Sequence, residues 1–124
     1  MILNHISIGV KDVTAAVAFY DEVLAPLNVE RSHLIEGAAA AYGAQFEFWV
    51  SLPHSGHASV GNGTHVAFNA PTASAVDDFY LAALKAGGQC VGKPGLRPEY
   101  AENYYAAFVT DLDGNKIEAV FMPM

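Results

Sequence analysis

The chain has 124 residues, 52% of them hydrophobic, and 13 acidic against 6 basic side chains give it a formal charge of −7. That is enough apolar material for one domain with its own core and too little length for a second. The lysines and arginines do not cluster, which excludes the basic stripe that nucleic acid or an anionic membrane surface requires.

Residues 2–10 alternate as a half-buried strand, with Ile2, Ile6, Ile8 and Val10 on one face and His5 and Ser7 on the other. Lys11 and Asp12 break this apolar run before it reaches the length of a signal sequence or membrane span, so a soluble, cytoplasmic protein is expected. Asp12 is a candidate helix cap, and Val13, Ala16, Val17, Tyr20, Val23 and Leu24 recur at helical spacing. Strands are expected at 29–35 and 45–52, with a small-residue stretch at 37–42 between them. A polar loop at 54–63 then leads to a second strand, 64–70, and a second helix capped by Thr72 or Ser74. Val76, Phe79, Tyr80, Ala83 and Leu84 form the expected buried stripe of that helix, and Gly87-Gly88 ends it. Strands follow at 89–93, 104–110 and 116–122, the last two joined by a tight Asp-Gly turn. Cys90 is the one cysteine, so no intrachain disulfide forms, and it reads as a small buried filler.

The second half repeats the first. Sliding the chain by sixty positions lays His65 on His5, Phe79 on Phe19, Tyr80 on Tyr20 and Leu84 on Leu24. The fold class expected is therefore α+β: two tandem βαβββ modules, 1–60 and 61–124, within one domain, with a curved mixed sheet and the helices on its outer face. In each copy the apolar neighbours of the histidine claim the packed face and turn the imidazole away from it. A gapped match sets Phe46-Glu47 against Ile117-Glu118, and the same alternation turns both glutamates toward the unpacked face. His5, Glu47, His65 and Glu118 are thus the candidate metal ligands, a nitrogen and oxygen set suited to Ni, Zn, Mn or Fe(II) with positions left open.

These residues, in "NHISIGV", "GTHVAF" and "YYAAFVTDLDGNKIE", resemble the vicinal oxygen chelate superfamily, which includes glyoxalase I, extradiol dioxygenases and the fosfomycin and bleomycin resistance proteins. The resemblance spans essentially the whole chain, with Leu112 standing where the family usually has proline. It implies a cup around a divalent metal, with Glu47 at the position of the second glutamate of glyoxalase I. A glyoxalase I-like lyase or isomerase then follows, with Glu118 and Glu47 as catalytic groups that move a proton beside a carbonyl and a thiol such as glutathione as possible co-substrate. Fosfomycin-type thiol transfer lacks convergent cations. Extradiol dioxygenation would need only His5, His65 and Glu118 around iron(II). The non-enzymatic alternative is a bleomycin-type binding protein, for which the acidic charge and Trp49, Tyr100, Tyr104 and Tyr105 would suit a cationic drug. Arg97, in a loop punctuated by glycine and proline, is a candidate for an anionic part of a substrate. A homodimer is expected, motivated by the alanine-rich stretch 38–41 and by apolar sheet edges.

Overall fold

The computed structural model describes residues 2–123. Its elements follow the order β1 (Ile6–Gly9), α1 (Val13–Leu24), β2 (Arg31–Ile35), β3 (Ala39–Tyr42), β4 (Phe48–Ser51), β5 (His65–Asn69), α2 (Ala73–Lys85), β6 (Gln89–Leu96), β7 (Tyr105–Thr110) and β8 (Lys116–Phe121). Both helices start where a side-chain oxygen satisfies a free amide. Asp12 accepts from the Ala15 amide at 3.1 Å, and Thr72 accepts from the Ala75 amide at 3.0 Å. A 3-10 turn at Ala25–Leu27, with Pro26 near its start, finishes α1, and Asn28 at φ 62° turns the chain back toward β2.

Each module forms its own four-stranded mixed sheet, ordered β1-β4-β3-β2 and β5-β8-β7-β6. The first pair in each is parallel and the rest are antiparallel. No ladder joins β1 to β5 among the described residues, so the two sheets remain separate. Their helix-facing sides share one apolar cluster in which Phe19 and Phe79 occupy repeat-related places and Phe48 meets Phe68 edge to face at 4.9 Å. Tyr20, fully buried, donates its hydroxyl to Asp111 Oδ2 at 2.7 Å. Asp111 also accepts from the amides of Asp113 and Asn115, so one carboxylate ties α1 to the β7–β8 turn.

The structure departs from the sequence reading at identifiable points. Ile2 is 99% exposed because β1 begins only at Ile6. β4 begins at Phe48 rather than at 45, because Phe46 takes φ 59° and leaves the strand. Leu84 is partly exposed rather than buried, and Cys90 is exposed on β6 rather than packed. The alanine stretch forms β3, where Ala40 and Ala41 are already fully buried, so it offers little apolar surface to a partner.

Candidate functional site

Alternation on β8 sends Ile117 and Ala119 into the core and leaves Glu118 on the opposite face, opposite Ala67 of β5 and Phe108 of β7. Although it faces away from the core, Glu118 is only 1% exposed. His65 Nε2 lies 3.0 Å from its Oε1, and the Tyr104 hydroxyl donates to its Oε2. Burial, then the hydrogen bond to Glu118, pushes the Tyr104 hydroxyl up to about 12, so it stays a donor through the physiological range. Among the described residues every buried side-chain nitrogen and oxygen has a partner, and Glu118 is one of two buried charged or polar side chains, the other being Asp111.

His5 is placed elsewhere. It is exposed, with Nδ1 2.7 Å from Asn4 Oδ1, and lines a groove shared with Glu47, Tyr42 and residues 66–69. His65 lines a different groove with Ile8, residues 60–64 and residues 114–117. The open edges of β1 and β5 therefore pass one another in opposite directions, and the two histidines stand at opposite ends of the seam. Among the described residues no group of three or more His, Cys, Asp or Glu side chains is arranged to hold a metal ion. The chain by itself brings together His65 and Glu118, but not His5.

The register also corrects the match made for Glu47. In module two, Glu118 pairs with Ala67, two residues beyond His65. In module one the residue two beyond His5 is Ser7, and its partner is Trp49. Trp49 holds the place equivalent to Glu118, and Glu47 corresponds to Lys116. Glu47 is exposed, and its Oε1 accepts from the Gln45 amide at 2.6 Å. Trp49 donates from Nε1 to the Phe46 carbonyl at 2.9 Å and meets His33 at a ring separation of 6.1 Å.

The other candidates fall on different surfaces. Tyr105 packs on the core side and donates to Asp77 of α2 at 2.6 Å, turned away from Glu118. Tyr100 is 60% exposed and meets the edge of Tyr104 at 5.3 Å. Arg97 lies over Phe108, its Cζ 5.5 Å from the ring centroid, on the Glu118 face. Sequence reasoning placed Tyr104 among ligand-stacking aromatics and missed its bond to Glu118. It also missed Lys116, which alternation from Glu118 would have put on the same face, and Phe108, which the pairing of β7 with β8 places there.

The residue pattern of the Glyoxalase/Bleomycin resistance protein/Dioxygenase superfamily matches residues 2–119. The chain belongs to this superfamily. A glyoxalase/bleomycin resistance protein from Albidiferax ferrireducens T118 shares its structure at TM-score 0.88 and 28% identity, over 99% of this chain and 100% of that one. A glyoxalase-related enzyme from Fulvimarina pelagi is similar at TM-score 0.76 and 21% identity, covering 98% and 88%. Lactoylglutathione lyase from Agrobacterium tumefaciens is similar at TM-score 0.67 and 19% identity, covering 98% and 92%. No curated protein sequence matches the chain. Superfamily membership agrees with the two βαβββ modules and with the helices capped at matching places in each. Among the described residues no helix is long and apolar enough to cross a membrane.

Proposed function

We propose that this protein is a metal-dependent enzyme of the glyoxalase type, acting on a small substrate that offers two oxygens, with Glu118 as the group that takes and returns a proton. The observation that carries this reading is the Glu118 carboxylate, almost fully buried on the sheet face that does not pack against a helix, with His65 and Tyr104 on its two oxygens. Burying a carboxylate costs several kcal/mol before its partners offset it. Such a group is a functional candidate for a stated physical reason.

The donor chemistry fits a divalent ion in part. His65 Nε2 and Glu118 Oε1, 3.0 Å apart, are a nitrogen and an oxygen donor that together would hold such an ion. A third donor would come from a second copy: a two-fold dimer that sets the β1 end of one chain against the β5 end of the other would bring His5 of the partner subunit to this pair, twice over. Trp49 at the place equivalent to Glu118 makes this a set of two histidines and one carboxylate, with Glu47 beside His5 rather than opposite Glu118. Ni, Zn, Mn or Fe(II) would suit it, and when bound such an ion would polarise the substrate oxygens. Tyr104 fixes Glu118 Oε2, which leaves Oε1, beside His65, as the oxygen that would meet the ion and take the proton, and Phe108, 6% exposed, keeps the floor dry.

Mixing tests the arrangement. His5→Ala and His65→Ala homodimers would each lack every complete site, whereas a mixed dimer would hold one intact site built from the two unmodified histidines. Metal-dependent stabilisation should be absent from both variants and return when they are mixed and allowed to exchange; no return refutes the shared site. One observation favours a second reading, a bleomycin-type binding protein: Trp49, His33 and Phe46 form an aromatic cluster on the face of the first sheet that does not pack against a helix. Bleomycin binding that is unchanged by chelator and lost in Trp49→Ala would support that reading over the enzyme.

A further inference from the structure

β6, β7 and β8 place Gly92, Phe108 and Glu118 directly opposite one another in a row across the sheet. Two strand spacings separate the ends of this row, about 10 Å. The glycine at its far end is required sterically. A Cβ on Gly92 would stand 2.9 Å from Phe108 Cδ1 and 3.3 Å from Arg97 Nη2, and one on Gly95 would stand 3.3 Å from Arg97 Nη1. The two glycines thus form a cradle in which the guanidinium lies against the sheet. Arg97 Nη2 donates to the Lys93 carbonyl at 2.7 Å, and its Cζ is 5.5 Å from the Phe108 centroid. Lys116 Nζ is 5.0 Å from the same centroid. Among the described residues neither Arg97 nor Lys116 has a carboxylate within ion-pair distance. In a chain of net charge −7, two unpaired cations flank one buried ring.

The geometry points to a carboxylate-binding subsite formed by Arg97 and Lys116 over Phe108, so that the substrate is a short-chain oxo-hydroxy acid whose carboxylate rests there while the carbonyl and hydroxyl at its other end reach Glu118. The inference rests on reading the Glu118 face as the substrate face. A guanidinium held by the carbonyl of Lys93, and by that of Leu96 at 3.4 Å, has already lost rotamer freedom, so less entropy is lost when it pairs with a carboxylate. Glu118, the one carboxylate of the row, would repel an acid placed on it and so sets the ligand's polarity: charged end at Gly92, neutral end at Glu118. Phe108 between them disfavours a polar middle.

The test uses metal-free protein in chelator, so it does not depend on metal binding. 4-Oxopentanoate and its neutral methyl ester are titrated into 15N-labelled protein while the Arg97 Nε–H and the Gly92 and Gly95 amides are followed. The acid should shift all three signals saturably in the millimolar range and the ester should not. Arg97→Ala should weaken the acid at least tenfold, Arg97→Lys should recover part of the loss, and Lys116→Ala should weaken it several-fold. Lys85→Ala, on the far end of α2, should change nothing. Equal shifts from acid and ester, no shift up to tens of millimolar, or a Lys85→Ala loss matching that of Arg97→Ala would each overturn the subsite. If the acid fails to bind while metal still raises the melting temperature, the subsite alone is wrong.

Discussion

Replacing Glu118 with glutamine asks whether the buried carboxylate serves the fold or the chemistry. The amide keeps the shape: its oxygen accepts from Tyr104 and its NH2 donates to the unprotonated nitrogen of His65, so both present contacts survive in neutral form. A hydrogen bond to a charged group is worth about 1.5–3 kcal/mol and a neutral one about 0.5–1.5, so weakening two loses about 2–3 kcal/mol. The substitution also removes the cost of burying a carboxylate, which is several kcal/mol before compensation. The two nearly cancel, and the metal-free variant should lie within about 1 kcal/mol of wild type, or within about 5 °C in melting temperature for a chain of this length. Urea denaturation in chelator reads this directly, with an unchanged m value showing that the same surface unfolds. A loss above about 3 kcal/mol, the size seen when a buried structural pair is broken, would refute the reasoning and make Glu118 a packing element.

Tyr104 should carry a pH signature. Its folded-state value of about 12 lies above the ordinary 10, so the stability it contributes is fully present below about pH 10 and is lost as pH rises from there through 12. Ultraviolet titration should lose a phenolate step near 12 in Tyr104→Phe, and in Glu118→Gln that step should move down. Tyr20→Phe leaves Asp111 short of one donor in the core and should cost about 1–3 kcal/mol by urea denaturation, with metal response intact. Trp49→Glu puts a carboxylate at the place equivalent to Glu118 and should tighten nickel or zinc at least tenfold in competition with a chromophoric chelator, whereas Glu47→Ala should change it little.

Much of this architecture was legible because the duplication is written in residues that must be buried or capped. Phe19 and Phe79 enter one core, Asp12 and Thr72 cap the two helices, and the alternation around His65 and Glu118 places both on the unpacked face. Register was not legible. Glu47 matched Glu118 by residue type, but the positive φ of Phe46 starts β4 late and puts Trp49 in that place. Nor does alternation show which way two separate sheets face one another, so His5 and His65 could be given the same kind of surface but not the same end of the seam. Cys90 illustrates a third limit. It reads as a small apolar side chain, but it sits on β6, the edge strand of its sheet, where solvent reaches it and Tyr80 bonds it, lowering its thiol below the ordinary value.

The central claim is that His65 and Glu118 are donors to a divalent metal, and the melting temperature of purified, chelator-stripped protein titrated with nickel, zinc, manganese or iron(II) tests it most directly. A metal bound only by the folded state stabilises it by about 2.7 kcal/mol at a hundred times its dissociation constant. At least one of the four metals should raise the wild-type melting temperature by several degrees, and His65→Ala and Glu118→Gln should each abolish most of that rise. No rise with any of the four, or an equal rise in both variants, would contradict the account.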